Sequence, residues 1–222
     1  MKKILFVAPH PDDETLGCGG TIFKHLANGD QVFWLIITNI IDDKQSSSLR
    51  RSNRQEEITT VAKMYNFVKT FTLDFPTTRL DEYPFSDIIE KVSRVINEVE
   101  PHTIYVNNRS DIHTDHQIVF KAVLSCTKSF RCKYINRILM YETLSETEYA
   151  APLPENQFMP NVYIDISRYF DQKCLVMGEY KSEVMQKPLP RSVSSIEALA
   201  KYRGSRVGVD YAEAFQLLFE KI

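Results

Sequence analysis

The chain has 222 residues with 27 basic and 29 acidic side chains, a formal net charge of −2. This balance argues against a dedicated nucleic-acid binder, which would carry an excess of basic charge. The length and the content of 43% hydrophobic and 25% charged residues are ordinary for one globular domain, residues 1–222. No apolar stretch is long enough for a secretory signal or a membrane span, and the four cysteines form no CxxC motif. We therefore expect a cytoplasmic protein without membrane insertion, of unspecified oligomeric state.

The first part of the chain alternates between strand-like and helix-like segments. A continuous apolar run, "ILFVAP", predicts a strand covered on both faces, and the next segment predicts a helix that ends at Gly29. The long second helix has serine candidates for its N-cap. In chain order the predicted segments after the first strand are helix "GGTIFKHLANG", strand "DQVFWLIITN", helix "SSSLRRSNRQEEITTVAKMYNF", strand "VKTFTLDF", helix "PFSDIIEKVSRVINEVEP", strand "TIYVNN" and helix "DHQIVFKAVLSCTKSF".

The pattern becomes looser after about residue 135. The segments "RILMYET" and "NVYIDI" predict strands, and a helix is expected through "RYFDQKCLVMGEYKSEV". A polar loop, "KPLPRSVSS", precedes "IEALAKYR", and a final helix is predicted in "DYAEAFQLLFEKI". The βα alternation predicts an α/β fold with a mostly parallel sheet and helices on both faces.

Two clusters of histidine and acidic residues follow predicted strands. "HPDDE" comes after the first strand, and "RSDIHTDH" comes after "TIYVNN". Ligands of open parallel sheets bind beyond the carboxyl ends of the strands, so the two clusters are expected to face one crevice.

The residue types suit a single catalytic zinc ion, which takes about three His or carboxylate ligands and leaves a position for water. His10 and Asp13 can point the same way if the chain turns at Pro11. His113 and His116 share a face at a helix start, so one completes the ligand set and the other remains free. Asp12 is placed to take a proton from metal-bound water. Ferrous iron or cobalt would suit the same ligands.

The motifs "PHPDDETLGCGGTI" and "DIHTDH" together resemble the LmbE/PIG-L family of zinc-dependent N-acetylglucosamine deacetylases. The segments "RQEEITTVAKMYNF" and "LAKYRGSRVGVDYAEAF" are similar to two further family segments, so the likeness covers most of the chain. The resemblance implies a Rossmann-like fold and removal of acetyl from an N-acetylated amino sugar. A soluble N-acetylglucosaminyl conjugate is the expected small-molecule substrate.

The resemblance also implies a role for each matching residue. It implies that His10, Asp13 and His116 are the zinc ligands and that Asp12 is the general base. It further implies that His113 stabilises the oxyanion and that Arg54 contacts the sugar. The leaving amine would take its proton from Asp12 or from His113, and the residues do not decide between them.

Several other residues near these motifs have two interpretations each. Asp115 is expected either to orient one of the flanking histidines or to be an ordinary acid at a helix start. Glu14 either bonds to the turn or caps the helix. Arg203, with Arg206 across Gly204, either reaches an anionic part of the substrate or belongs to a surface loop.

The sequence also departs from the family pattern at the sugar site. Where the family has an Asp that holds sugar hydroxyls, this chain offers Thr77 or Thr78, which puts the sugar specificity in question. Thr114 also replaces the usual Pro of the second motif. A metal-dependent phosphoesterase is the alternative function, since His and Asp clusters also build two-metal sites.

Overall fold

A computed structural model describes residues 1–40 and 47–222 of the chain. In these ranges seven strands form one sheet of order β3-β2-β1-β4-β5-β7-β6. The strands are β1 (Lys3–Ala8), β2 (Gln31–Asn39), β3 (Lys69–Pro76), β4 (Thr103–Asn107), β5 (Arg137–Tyr141), β6 (Val162–Asp165) and β7 (Ala212–Glu220). Strands β3, β2, β1, β4 and β5 run parallel, and β7 is antiparallel to both β5 and β6.

In the described part of the chain, six helices and two short 3₁₀ turns connect the strands. The helices are α1 (Asp13–Ala27), α2 (Ser48–Met64), α3 (Phe85–Val99), α4 (Thr114–Ser125), α5 (Phe170–Met177) and α6 (Val193–Ser205), and the 3₁₀ turns span Leu80–Glu82 and Pro154–Asn156. Ser47 is the N-cap of α2, as the serine run predicted, and its side chain accepts a hydrogen bond from the backbone N–H of Arg50. Ser46, another of the cap candidates, lies outside the described residues.

The side chains of β1 alternate between two apolar layers. Ile4, Phe6 and Ala8 face one layer with apolar residues of α1, α2, α5 and α6, whereas Leu5 and Val7 face the other with residues of α3 and α4. A parallel strand covered on both faces needs a continuous apolar run, which explains the composition of β1. The predicted α/β fold, a mostly parallel sheet with helices on both faces, is confirmed.

The prediction of a helix at the end of the chain is wrong, because residues Ala212–Glu220 form strand β7. The segment is rich in Ala, Glu and Leu, which favour helices in isolation. In the fold it pairs with β5 on one side and β6 on the other, and its first four residues are buried. Two-sided pairing and burial outweigh the modest helix propensity. The helix predicted through "RYFDQKCLVMGEYKSEV" is also shorter, and ends at Met177.

Candidate metal and catalytic site

The two histidine motifs meet at the carboxyl edge of the sheet. His10 lies between β1 and α1, whereas His113 and His116 lie where α4 follows β4. Strands β1 and β4 are neighbours, but β1 also pairs with β2, so the strand order reverses here. Open α/β sheets bind ligands at such a switch point, because the connections on either side leave in opposite directions and open a crevice.

Three side-chain atoms converge at this crevice: His10 Nδ1, Asp13 Oδ2 and His116 Nε2. Their separations are 3.2 Å between the two imidazoles, 3.3 Å from His116 to Asp13 and 3.5 Å from His10 to Asp13. Ligands bound at 2.0–2.2 Å in a tetrahedral set lie roughly 3.3–3.6 Å apart. The three atoms therefore fit a divalent cation of zinc size without rearrangement of the backbone.

Each histidine of this cluster is oriented by a carboxylate on its other ring nitrogen. Asp115 Oδ2 lies 3.0 Å from His10 Nε2, and Asp111 Oδ2 lies 2.8 Å from His116 Nδ1. These bonds direct His10 Nδ1 and His116 Nε2 towards the third ligand atom, as is usual for metal-binding histidines. Asp111 was missed by the sequence analysis, although it stands in "DIHTDH" five residues before His116.

Asp115 was expected either to orient one of the two histidines that flank it or to be an ordinary acid at a helix start, and its carboxylate orients a histidine outside that pair. Its carboxylate instead contacts His10 and accepts hydrogen bonds from the backbone N–H groups of Thr78, at 2.7 Å, and Leu80, at 3.2 Å. The reason is that Asp115 lies in the first turn of α4, which faces the segment after β3. Asp115 also joins His10 and His113 in a second group of neighbouring ligand atoms, but its oxygens are already used by these bonds.

The cluster has strongly shifted acid–base equilibria. Burial lowers the pKa of His10, but hydrogen bonds to Asp115 and Asp13 outweigh it and raise the pKa to about 9. Burial opposes ionisation of Asp13, yet the charge of His116 and the hydrogen bonds from both histidines hold its pKa well below the usual range. In the metal-free protein the imidazoles therefore hold protons that a cation would displace.

The backbone at Asp12, the N-cap residue of α1, is strained. Its φ of 134° and ψ of −27° lie in a region that non-glycine residues rarely adopt. Glu14 supports this conformation, because its Oε2 accepts a hydrogen bond from the Asp12 N–H at 3.2 Å. Glu14 is itself fully buried, and its Oε1 accepts hydrogen bonds from Tyr180 and Thr15. Of the two roles considered for Glu14, the structure shows a bond to the turn.

The Asp12 carboxylate is buried and has a free acceptor. Its Oδ2 has no hydrogen-bond partner, and the Arg191 guanidinium lies 3.7 Å away. Burial, and then the neighbouring Asp13 and Glu183 carboxylates, raise the pKa of Asp12 well above its usual range. A carboxylate with an unused lone pair and a raised pKa is a stronger base than an ordinary carboxylate.

His113 is the N-cap of α4 and is held in one orientation. Its Nδ1 accepts a hydrogen bond from the backbone N–H of Asp115 at 3.1 Å, which leaves the ring proton on Nε2. Burial and the neighbouring positive charge of His10 lower the pKa of His113 to about 4. The ring is therefore neutral at pH 7, with an N–H donor rather than a positive charge.

His10, Asp12, Asp13 and His113 border a cleft of about 200 Å³. Arg54 lies in its wall, where its Nη1 donates to the Pro11 carbonyl at 3.1 Å and its Nη2 bonds to Ser182 and Glu183. Much of the Arg54 guanidinium is thus used to hold the turn that carries His10. Thr77 also lines the cleft, whereas the Thr78 N–H is directed at Asp115.

Arg191 and Glu183 line the same cleft and were not found by the sequence analysis. Arg191 Nη1 lies 3.2 Å from Glu183 Oε2, and the Arg191 Nε is buried without a hydrogen-bond partner. Both residues come from the irregular segment between α5 and α6. No motif in the sequence indicates that this segment returns to the crevice.

The fold and this cluster define an α/β protein with a candidate metal site at the switch point of its sheet. The sequence profile of the PIG-L family, described as GlcNAc-PI de-N-acetylase, matches residues 5–127, more than half of the chain. The chain therefore belongs to the PIG-L family. The matched region contains all of the residues from His10 to His116 discussed above. The expected resemblance is confirmed.

Two relatives extend the similarity over most of the chain. The "Uncharacterized deacetylase YaiS" of Escherichia coli (strain K12) is 28% identical over 187 residues, covering 82% of this chain and 91% of that protein. The diacetylchitobiose deacetylase of Thermococcus kodakarensis is 24% identical over 226 residues, covering 98% and 84%.

Solved structures share the fold. The conserved protein TT1542 from Thermus thermophilus has a TM-score of 0.79 and 24% identity, covering 100% of this chain and 97% of that one. GalB, the 4-carboxy-2-hydroxymuconate hydratase of a Pseudomonas species, has a TM-score of 0.75 and 16% identity, covering 100% and 98%. One fold thus hosts different reactions, so the reaction must be argued from the site. Within the described residues no helix is long and apolar enough to cross a membrane.

Proposed function

We propose that the protein is a metal-dependent hydrolase that removes the acetyl group from an N-acetylated amino sugar, with one Zn²⁺ held by His10, Asp13 and His116. The observation that carries the proposal is the convergence of these three ligand atoms at tetrahedral spacing beside Asp12 and His113. A bound cation would supply Lewis acidity and lower the pKa of a coordinated water. Family membership supports an amide in a sugar as the substrate.

Asp12 is proposed as the general base. It lines the cleft with the ligand residues His10 and Asp13, and its free Oδ2 takes the proton of the attacking water. Its raised pKa makes it a stronger base than an ordinary carboxylate.

His113 is proposed to donate its Nε2–H to the carbonyl oxygen as negative charge develops on it. The bond from the Asp115 backbone to Nδ1 fixes the donor nitrogen, so no reorganisation is needed during the reaction. A neutral His113 has no spare proton to release. This supports Asp12, once protonated, as the group that returns a proton to the leaving amine.

Arg54 remains a proposed sugar contact. The side of its guanidinium group that faces the cleft would contact the sugar. Arg191 would border the same sugar, because it also lines the cleft. The phosphoesterase alternative requires a second metal ion. The second group of ligand atoms shares His10 with the first and relies on Asp115, so one ion per chain is expected.

The test is metal analysis combined with an assay for acetate and free amine on a panel of N-acetylglucosaminides. We expect one metal ion per chain and release of equal amounts of acetate and amine. Asp12→Asn is expected to keep the metal content and lose about 10²- to 10⁴-fold in turnover. Two metal ions per chain with hydrolysis of a phosphate ester would contradict the proposal, as would full activity of Asp12→Asn.

A further inference from the structure

The metal cleft is lined by more charged side chains than the proposed mechanism uses. Among the described residues, three arginines line it: Arg50, Arg54 and Arg191. Arg203, considered above as a contact for an anionic part of the substrate, does not line this cleft, and its Nε and Nη2 donate to the two Glu142 oxygens at 2.8 and 2.6 Å. The arginines that can act on the reaction are therefore those of the cleft itself.

Glu183 joins two of these arginines. Its Oε1 bonds to Arg54 Nη2, and its Oε2 lies 3.2 Å from Arg191 Nη1. The side chains of Glu183 and Arg191 are only 18% and 20% exposed, so water and salt screen this pair less than a pair on the open surface. One carboxylate thus holds two guanidinium groups at the wall of the cleft, one on each oxygen.

Arg54 has other acceptors that keep it in place. Its Nη1 donates to the Pro11 carbonyl at 3.1 Å and lies 3.3 Å from Glu57 Oε2. Its Nη2 also donates to Ser182 Oγ at 3.1 Å. Because these partners are independent of the Glu183 carboxylate, Arg54 keeps its position without it.

Arg191 has fewer anchors than Arg54. Both of its ion pairs in the described part of the chain use Nη1, one with Glu183 and a longer one of 3.7 Å with Asp12 Oδ2. The Arg191 Nε and the Asp12 Oδ2 are both buried without a hydrogen-bond partner. Charge-assisted bonds between nitrogen and a carboxylate oxygen are about 2.7–2.9 Å long, so a shift of roughly 1 Å would bond Arg191 to Asp12.

A bond between Arg191 and Asp12 would inhibit the proposed reaction. It would occupy the free Oδ2 that is proposed to take the proton of the attacking water, and it would place a positive charge where that proton has to arrive. Charge-assisted hydrogen bonds are roughly twice as strong as neutral ones, so water would not readily displace it. Glu183 opposes this bond, because its carboxylate lies closer to Arg191 than the Asp12 carboxylate does.

We infer that Glu183 is a positioning residue, which holds the Arg191 guanidinium at the wall of the cleft and away from the Asp12 carboxylate. It acts through Arg191 and does not itself touch the reacting atoms. The inference rests on the proposed function, because the position of Arg191 affects turnover only if Asp12 is the general base. It also goes beyond that function, since it assigns a task to the irregular segment between α5 and α6.

The test removes the negative charge of Glu183, alone and together with Arg191. Glu183→Gln keeps the shape of the side chain and an acceptor oxygen for Arg54, but it leaves Arg191 without its nearer carboxylate. Glu56→Gln is the matched control, because Glu56 is exposed on α2 and does not line the metal cleft. Zinc content, kcat and KM are measured with N-acetylglucosamine and diacetylchitobiose as substrates, and zinc-loaded Glu183→Gln is crystallised.

Glu183→Gln is expected to bind one zinc ion and to lower kcat about tenfold, a part of the 10²- to 10⁴-fold effect of a general base. The double variant Glu183→Gln with Arg191→Gln is expected to have a kcat about tenfold above that of Glu183→Gln, because the guanidinium that blocks Asp12 is then absent. A purely structural role for Glu183 would leave the double variant at least as impaired as the single one. Glu56→Gln should have the kcat of the original protein.

A double variant no faster than Glu183→Gln would overturn the inference, as would equal kcat values for Glu183→Gln and Glu56→Gln. The crystal structure gives a result that does not depend on turnover. Arg191 bonded to Asp12 in the variant would support the inference, and Arg191 in its original place would overturn it. If the original protein releases no acetate from any substrate while Arg191 moves onto Asp12 in the variant, the proposed function fails and the positioning role of Glu183 stands.

Discussion

Asp111 shows how a residue outside the ligand set determines the geometry of that set. Its two oxygens are divided between His116 and Thr147, so it fixes the imidazole that completes the cluster. Loss of such a partner typically weakens metal binding 10- to 100-fold. We predict that Asp111→Asn lowers the zinc affinity by about 10- to 100-fold, since the amide can present a donor to His116 in place of an acceptor.

The affinity is measured by competition with a chromophoric chelator. Asp81→Asn, a change of the same kind at an exposed position in the 3₁₀ turn, is the control and should bind zinc like the original protein. Equal affinities for the two variants would show that Asp111 does not orient the ligand.

The strained backbone at Asp12 makes a prediction about stability. Conformations of this kind cost about 1–3 kcal/mol for a residue with a Cβ atom, and glycine adopts them without that cost. We predict that Asp12→Gly raises the free energy of unfolding by about 1–3 kcal/mol over Asp12→Asn, while both variants lose turnover.

Denaturant unfolding of the metal-free proteins gives the comparison, because it removes any contribution from metal binding. Asp12→Asn is the matched control, since it also removes the buried negative charge but keeps the strained backbone. A glycine variant no more stable than the asparagine variant would contradict the assignment of strain to this residue.

Sequence reasoning brought together the residues that share motifs and missed those that only the fold assembles. His10 and Asp13 were expected to share an ion with one of the two later histidines because both motifs follow strands of one parallel sheet, and the family resemblance implied His116. The partner of Asp115 was misjudged because it depends on how α4 faces the segment after β3. Arg191 lies in irregular chain between α5 and α6, where no periodicity indicates a direction.

At the scale of the elements, helix α1 is held by a buried ion pair. Lys173 of α5 and Glu213 of β7 are 2.6 Å apart, and both side chains are almost fully buried. Lys173 Nζ donates to the Leu16 carbonyl, while Glu213 accepts from the N–H groups of Gly20 and Thr21. The pair thus ties α5 and β7 to the helix that begins at Asp13, a proposed metal ligand.

Removal of one partner of a buried pair leaves the other charge uncompensated, at a cost of about 3–5 kcal/mol. We predict a loss of that size in the free energy of unfolding for Lys173→Met, measured by denaturant titration. The double variant Lys173→Met with Glu213→Gln should recover part of the loss because no buried charge remains. If the double variant loses as much free energy of unfolding as the two single variants lose together, the two charges do not interact.

Strand β7 illustrates where local sequence preference fails at this scale. Its residues favour a helix, but two neighbouring strands supply hydrogen-bond partners on both sides. Because these partners are distant in the chain, no local pattern reveals them. The parallel strands were predictable, because a continuous apolar run such as that of β2 is typical of a strand that is buried on both faces.

At the scale of the whole molecule, metal binding and folding are linked through protons. In the metal-free protein the pKa of His10 is raised from 6.5 to about 9. A raised histidine pKa contributes stability that is fully present below pH 6.5 and is lost as the pH rises through 9. Metal binding requires the neutral imidazole, so its affinity should rise over the same window.

We therefore predict that metal-free protein loses stability between pH 6.5 and 9, while zinc affinity increases. Calorimetry in buffers of different ionisation enthalpy should detect release of protons from His10 and His116 on metal binding at pH 7. Zinc binding without proton release at that pH would contradict the raised pKa. Asn substitution of His102, which is partly exposed and lies outside the metal cleft, is the control and should leave the proton count unchanged.

Because most strands run parallel, the two edges of the sheet carry different kinds of connection. This difference identifies a place where the protein can be attached to a surface. In the parallel part of the sheet, strand-to-helix turns such as the one at His10 lie at one edge, and helix-to-strand turns such as the one between α1 and β2 lie at the other. The turn at 28–30 between α1 and β2 belongs to the second group, and Gly29 has no atom within 4 Å of the position a side chain would take. A surface linker attached there would immobilise the protein with the edge that carries the candidate metal site directed into solution.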